Sequence, residues 1–89
     1  MAQIIFTQQL ARFLPVPQME TQAATLRAAL DGVFAGNARL RGYVLDDQGH
    51  LRPNVVIFID GKRCRDRALL DDPLQADSSI YILQALSGG

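Results

Sequence analysis

The segment VVIFIDG at residues 55–61 carries the strongest fold signal in this chain of 89 residues. Five consecutive apolar residues are typical of a strand that is covered on both faces, or nearly so. The Asp60-Gly61 pair that follows favours a type I′ hairpin turn, because both turn positions need a positive φ. The segment therefore predicts a strand that turns back into a short polar strand over residues 62–65.

Shorter apolar runs predict strands near both ends of the chain. The run IIFT at residues 4–7 predicts a strand over about residues 2–8, and SIYIL at 79–83 predicts the last strand. Prolines at positions 15 and 17 disfavour a helix in the residues just before them. We therefore expect a turn region there, followed by a short edge strand near residues 16–20.

One amphipathic helix is predicted over about residues 25–35. Thr25 is the expected N-cap, since its hydroxyl can accept a hydrogen bond from an unpaired backbone N–H. Gly36 stands where a left-handed residue would end the helix. The apolar face of this helix is formed by Leu26, Leu30, Val33 and Phe34.

Two further segments are interpreted as turns: residues 43–52 as a hairpin with its turn at 46–49, and residues 71–74 as a turn or single 3₁₀ turn.

The order of these elements predicts an α+β fold of the β-grasp (ubiquitin-like) type. We expect a mixed sheet of four or five strands with one main helix on one face, and with the first and last strands as central parallel neighbours. The helix would pack on inward-facing strand residues, namely Ile57, Ile59, Ile80 and Ile82. Residues 1–84 are expected to form the domain, and residues 85–89 a flexible tail that ends in Gly-Gly.

Composition and charge exclude several classes of function. Nine basic and nine acidic residues balance, so neither nucleic acid nor a membrane surface is an expected partner. One cysteine and one histidine cannot form an internal disulfide or a structural zinc site, and we expect no metal and no bound cofactor. No apolar run approaches the ~20 residues that span a bilayer. With no export signal and a free cysteine, the expected location is the cytoplasm.

The sequence contains no catalytic constellation that points to an enzyme. It has no Gly-rich phosphate loop, no zinc-protease motif and no nucleophile elbow. His50 reads as a surface histidine. Cys64 lies among cations that can lower a thiol pKa and make the thiolate reactive, but no base is near it in sequence. The basic run at residues 62–67 is interpreted as a solvated hairpin or as a docking contact for an acidic partner.

The last five residues, ALSGG at 85–89, follow an ordered-looking strand. Extended, they reach ~16–18 Å. Gly88 and Gly89 have no Cβ, so they can enter a narrow channel. The terminal carboxylate is an anion at neutral pH and a poor electrophile, so chemistry at Gly89 needs activation by a separate enzyme.

Four segments together resemble the MoaD/ThiS family of ubiquitin-like sulfur carriers. Residues 55–61 resemble the family's V-x-V-F-V-N-G strand and turn, and LDDPL at 70–74 resembles its L-D-T-P-L turn. Residues 80–89 resemble the final strand with its Gly-Gly tail, and ATLR at 24–27 matches the helix opening. The chain departs from the family's pattern at Asp60, Ala28, Ser78-Ser79 and Gln84, where the family often has Asn, Glu, an acidic pair and Pro.

This resemblance implies a carrier protein rather than an enzyme. A ubiquitin-activating-like adenylyltransferase would consume ATP to adenylate Gly89, and a sulfur donor would convert the adenylate into a thiocarboxylate. A sulfur-accepting synthase, as in molybdopterin or thiazole synthesis, would then take the sulfur; the length and the hairpin at 43–52 favour the MoaD side. The implied partner-binding residues are Tyr81, Leu83, Leu86, Ser87 and Gly88.

Two alternatives stay open. The same tail would serve a protein modifier in which Gly89 forms an amide with a target lysine, and Lys62 is the only lysine for self-chains. The chain could also be a non-catalytic interaction module with an incidental Gly-Gly, in which case removing Gly88-Gly89 would leave its function intact.

Overall fold

The computed structural model describes residues 1–7, residue 10 and residues 18–84. The turn region predicted around the two prolines and the tail at residues 85–89 lie outside these described residues. Within them the elements are β1 (Ala2–Phe6), β2 (Gln18–Thr21), α1 (Leu26–Phe34), α2 (Ala38–Val44), β3 (Val55–Ile59), β4 (Lys62–Arg63) and β5 (Ser79–Gln84).

The five strands form one mixed sheet in the order β2-β1-β5-β3-β4. Strands β1 and β5 are parallel, with Ile4 opposite Ile80, and every other pair is antiparallel. This arrangement confirms the predicted mixed sheet and its central parallel pair. It also places β5 between β1 and β3, so the strand that leads to residues 85–89 is the middle strand of the sheet.

The predicted bounds of α1 are confirmed to within a residue, whereas the left-handed cap predicted at Gly36 is wrong. The Thr25 hydroxyl accepts a hydrogen bond from the Ala28 N–H at 3.3 Å, as an N-cap should. The helix closes through the Ala35 N–H, which donates to the Asp31 carbonyl, and Ala35 keeps a right-handed conformation. The left-handed glycines of the described residues are Gly49 and Gly61, so Gly36 is not a left-handed cap. The second helix begins at Ala38, two residues after Gly36, and Asn37 is its N-cap.

The second helix, α2, replaces the first arm of the hairpin predicted over residues 43–52. The Asn37 Oδ1 caps it by accepting from the Leu40 N–H at 3.1 Å. Leu40 and Val44, four residues apart, are both fully buried. The rest of the predicted hairpin survives as a turn at 46–49 closed by a bridge between Leu45 and Leu51. The hairpin therefore no longer supports the MoaD side of the family over the ThiS side.

The hydrophobic core lies between the two helices and one face of the sheet, here called the inner face. All four predicted residues of α1 are buried, and Ile57, Ile80 and Ile82 are fully buried beneath them, with Ile59 partly buried. Strand β3 alternates: Val55 and Ile57 are buried, while Val56 and Phe58 are only half-buried. The expectation of a strand covered on both faces is thus corrected, because both described helices pack on the same side.

Two shorter predictions differ from the structure. The polar strand after Gly61 covers residues 62–63 rather than 62–65. Residues 71–74 do not turn, because Pro73 forms a bridge with Thr25 at the start of α1. The turn lies earlier, where the Leu70 N–H donates to the Asp66 carbonyl at 2.9 Å.

No helix among the described residues has the length and apolar character to cross a membrane.

Candidate functional site

The face of the sheet opposite the core, here called the outer face, carries one continuous row of side chains across all five strands. The register places Gln18 opposite Ile5, Ile5 opposite Tyr81, Tyr81 opposite Phe58, and Phe58 opposite Arg63. Side chains paired directly across strands are close enough to touch. The middle three members of the row are apolar or aromatic, so the row is polar only at the two edges of the sheet.

A second apolar pair lies next to this row, nearer the end of β5. Leu83 is opposite Val56, and both are half-buried. Tyr81 is 43% exposed, and it is the most open large apolar side chain of the sheet's outer face. The outer-face patch, as we call it from here on, consists of Ile5, Val56, Phe58, Tyr81 and Leu83.

The other end of the outer face is polar. The Gln18 Nε2 donates to the Gln3 Oε1 at 2.8 Å, and Gln3 is also opposite the exposed Glu20 and the half-buried Ser79. The outer face therefore changes from polar to apolar along the direction of β5. Its apolar end is the end from which the chain continues into residues 85–89.

The structure brings together only some of the predicted partner-binding residues. Tyr81 and Leu83 share the outer face, as expected for alternate residues of one strand. Leu86, Ser87, Gly88 and Gly89 lie outside the described residues. Ile5, Val56 and Phe58 were not predicted as partner-binding residues. Each alternates with a core residue along its strand, which indicates an outward position. Only the register shows that Ile5 and Phe58 lie opposite Tyr81 and that Val56 lies opposite Leu83.

The basic run at residues 62–67 is divided by the structure. Arg67 donates from Nη2 to the carbonyls of Arg52 and Val55, so its charge ties two loops together. Arg65 forms an ion pair with Asp72, with its Nε 3.4 Å from Oδ2. Lys62 and Arg63 remain exposed at the sheet edge. Neither a fully solvated hairpin nor a uniform basic patch describes this segment.

The reactive thiolate considered for Cys64 is not supported. Burial raises the pKa of the Cys64 thiol above its ordinary value of 9.0, and the nearby Asp72 carboxylate raises it further. Arg67 acts in the opposite direction but does not prevail. The half-buried side chain packs against the core and is a neutral thiol at physiological pH. Cations adjacent in sequence therefore did not decide the chemistry of this cysteine.

His50 is half-buried beside the turn at 46–49. Its backbone N–H donates to the Asp46 Oδ1 at 2.9 Å, which stabilises that turn. Among the described residues, no three His, Cys, Asp or Glu side chains are grouped so that they could hold a metal ion. Among the described residues, the candidate functional site is therefore the outer-face patch, which is a binding surface.

This chain is similar to several known proteins in structure. Neither a family model nor a curated protein matches the sequence. Among solved structures, SAMP1 from Haloferax volcanii, a small archaeal modifier protein, is 21% identical with a TM-score of 0.82, covering 99% of this chain and 98% of that one. A chain of the Amycolatopsis orientalis BexX/CysO complex is 17% identical with a TM-score of 0.84, and both chains are covered completely. CysO from Mycobacterium tuberculosis is 18% identical with a TM-score of 0.81, covering 96% of this chain and 99% of that one.

These likenesses extend over essentially whole chains, and at such identities they establish the fold. The chain has the β-grasp, ubiquitin-like fold, as predicted. The resemblance to the MoaD/ThiS family is confirmed as a resemblance of fold.

Proposed function

We propose that this chain is a ubiquitin-like sulfur carrier that acts through the carboxylate of Gly89. The observation that carries the proposal is the position of the outer-face patch. Tyr81 and Leu83 lie on the central strand β5, and the chain continues from that strand toward the Gly-Gly pair. A partner enzyme bound on the patch would have the reacting end of the chain within reach.

The proposed chemistry explains why a carboxylate needs a partner. An anionic carboxylate resists nucleophilic attack, so an adenylyltransferase first joins a Gly89 oxygen to the α-phosphorus of ATP and releases pyrophosphate. A sulfide-level sulfur donor then attacks the acyl carbon and displaces AMP. The product is a thiocarboxylate, whose sulfur is a better nucleophile than the original oxygen. This chain supplies the reacting atom and is a co-substrate, while its partners catalyse both steps.

The tail sequence suits this role. Residues 85–89 can extend ~16–18 Å from the sheet, which is far enough to enter a buried active site. Leu86 and Ser87 would contact the walls of the entry channel, and Gly88-Gly89 would pass its narrowest part because they lack side chains. In this proposal residues 1–84 serve as the domain that the partner holds, and residues 85–89 as the flexible arm.

The proposed partners are a ubiquitin-activating-like adenylyltransferase and a sulfur-accepting synthase in the biosynthesis of molybdopterin, thiazole or a related sulfur metabolite. The structural neighbour CysO supports the proposal that this chain binds a partner protein, since CysO has been crystallised in a complex with a second protein, BexX. No cofactor would be bound by this chain itself, because ATP is consumed on the partner. The cytoplasm, where such partners operate, is the proposed location.

Intact-mass measurement tests the proposal. The chain is co-expressed with a ubiquitin-activating-like adenylyltransferase and supplied with a sulfur source. We expect a species heavier by the mass difference between sulfur and oxygen, and we expect it to be absent from a variant that lacks Gly89. An active enzyme that leaves the mass of the chain unchanged would contradict the proposal.

A second candidate function is protein modification, which the name of the similar small archaeal modifier protein supports. The same adenylate would then be attacked by the amine of a target lysine, forming an amide and releasing AMP. Conjugates on a denaturing gel that disappear when Gly89 is deleted would favour this function. Lys62, the only lysine of the chain, is exposed and would be the one site for lysine-linked self-chains.

A further inference from the structure

Three cationic side chains surround a shallow depression at the β4 edge of the sheet. The depression has a volume of about 260 Å³. It is lined by Lys62, Arg63 and Arg65 together with Ile59, Asp72 and Pro73. Three positive charges against one carboxylate leave an excess of two positive charges in this small area. This basic edge, defined as Lys62, Arg63 and Arg65, stands out in a chain whose total charge is zero.

The single carboxylate in the depression is already engaged. The Asp72 side chain is only 10% exposed, and both of its oxygens accept from the backbone N–H of Arg65, at 3.1 and 3.2 Å. The Arg65 side chain remains 69% exposed despite its ion pair with Asp72. Lys62 and Arg63 are exposed as well. The depression therefore offers cationic hydrogen-bond donors to an incoming acidic group.

The basic edge is continuous with the outer-face patch. The register places Lys62 opposite Ile59, on the helix side, and Arg63 opposite Phe58, on the outer side. The Arg63 guanidinium carbon lies 6.0 Å from the centre of the Phe58 ring, within the range of a cation–π contact. Since Phe58 belongs to the patch, a protein seated on the patch would contact Arg63 directly and would reach Lys62 around the exposed β4 edge.

We propose that the basic edge is a docking site for an acidic segment of the protein partner that binds the outer-face patch. The inference rests on the proposed function in that the patch receives a partner enzyme. Guanidinium groups bind carboxylates with two parallel hydrogen bonds, and an apolar centre with a charged rim is typical of a protein–protein interface. Single-stranded nucleic acid fits less well, because its bases need aromatic faces for stacking and the Arg63 guanidinium already lies over the Phe58 ring.

The same arrangement would set the orientation of the partner. Glu20 is exposed on the outer side of β2, at the opposite edge of the sheet from Arg63. The outer face is therefore positive at one edge and negative at the other. A partner with acidic residues over β4 would be attracted in one orientation and repelled in the reverse one. That orientation decides where the end of β5, and hence the tail, points on the partner surface.

Fluorescence anisotropy with a defined probe tests the inference on the full-length chain. The probe is a fluorescein-labelled synthetic peptide that alternates glutamate and leucine, titrated at low ionic strength. We expect the Lys62→Gln/Arg63→Gln variant to bind it about fivefold more weakly than the unmodified chain. The Arg39→Gln/Arg41→Gln variant is the matched control, since it removes the same charge from exposed positions of α2. Its affinity should be unchanged.

Three outcomes would overturn the inference: equal losses in both variants, no loss in either, or tighter binding of labelled oligouridine through the same two residues. Melting temperatures of both variants exclude misfolding as the cause.

Thiocarboxylate formation, measured by mass on the same preparations, separates this inference from the proposed function. A chain that forms no thiocarboxylate but binds the acidic peptide through Lys62 and Arg63 contradicts only the proposed function. A chain that forms thiocarboxylate but binds the peptide equally well in both variants contradicts only this inference.

Discussion

Ser78 and Asp60 join the start of the central strand β5 to the turn between β3 and β4. The Ser78 Oγ donates to the Asp60 Oδ2 at 2.9 Å and accepts from the Gln75 N–H at 2.8 Å. The other carboxylate oxygen of Asp60 accepts from the Ser79 N–H at 2.9 Å. Ser78 is 1% exposed, so its hydroxyl is shielded from water although Asp60 itself is exposed. Two positions that depart from the MoaD/ThiS pattern are thus bonded to each other.

Replacing Ser78 should therefore destabilise the fold. We expect Ser78→Ala to lower the free energy of unfolding by about 1–2 kcal/mol, because it removes one hydrogen bond to a carboxylate and leaves the Gln75 N–H without its acceptor. Urea denaturation followed by circular dichroism measures the change. Ser79→Ala is the control, since it keeps the backbone N–H that binds Asp60. Equal stability of the two variants would show that the Ser78 hydroxyl contributes nothing.

Tyr81 should matter to partner enzymes more than to the fold. Its side chain is 43% exposed at the centre of the outer-face patch, so Tyr81→Ala removes partner contact but little core packing. We expect the rate of thiocarboxylate formation by the activating enzyme to fall about tenfold, the size expected of an interface hot spot. Intact-mass time courses measure this rate.

Leu69→Ala is the matched control for Tyr81→Ala. Leu69 is an exposed apolar side chain, 60% exposed, but it lies outside the patch. Its replacement should leave the rate of thiocarboxylate formation unchanged. If both variants react as fast as the unmodified chain while their melting temperatures are normal, the outer-face patch is not the docking surface.

Arg27 connects α1 to two loops that are distant in sequence. Its Nη2 donates to the carbonyls of Ala68 at 2.7 Å and Gly49 at 3.0 Å, and its Nε donates to the Leu69 carbonyl at 3.3 Å. Arg27→Ala should cost about 2 kcal/mol of stability, since hydrogen bonds to a charged donor are lost together. Arg41→Ala, an exposed arginine of α2, should change stability by about 0.5 kcal/mol or less. Urea denaturation that ranks the two variants equally would argue against this structural role.

The stability of the chain should fall in acid, in part through Asp66. The backbone N–H groups of Leu69 and Ala68 donate to its Oδ1 and hold the pKa of the Asp66 carboxyl below its ordinary value of 3.8. A carboxyl with a lowered pKa in the folded state stabilises the fold above its unfolded pKa. That contribution is lost as the pH falls through the folded pKa, because the unfolded chain binds the proton more readily.

Melting temperatures recorded between about pH 5 and pH 2 test the role of Asp66. We expect Asp66→Asn to show a smaller decrease over this range than the unmodified chain, because the amide does not titrate. Asp31→Asn, which removes an exposed carboxylate from α1, is the control for a general change in charge. A decrease in Asp66→Asn as steep as in the unmodified chain would rule out this contribution.

The best sequence predictions rested on local signals. The positive φ angles of 51° at Asp60 and 84° at Gly61 are those that the dipeptide favours on its own. The Thr25 cap and the buried face of α1 likewise follow from neighbours within one or two helical turns. The strands at both ends of the chain and their parallel pairing followed from element order, because a single helix on one side leaves few arrangements of the sheet.

The prediction failed where local propensity conflicted with burial. The strand propensity of Tyr43-Val44-Leu45, followed by a turn at 46–49, predicts the first arm of a hairpin. The structure makes residues 38–44 helical because that conformation buries Leu40 and Val44 on one side, with Asn37 capping the start. Burial of two large side chains outweighs the modest propensity differences.

The sequence by itself determined the main strands, the first helix and their order, because the conformation of each segment depends on near neighbours in the chain. Only the tertiary structure decided what surrounds each side chain. It joined Ile5, Val56 and Phe58 to Tyr81 and Leu83 in one patch, partly buried the Cys64 thiol, and separated Arg67 from the exposed Lys62 and Arg63. These outcomes depend on strand register and on contacts between segments far apart in the chain. Neither can be predicted from the spacing of residues within one segment.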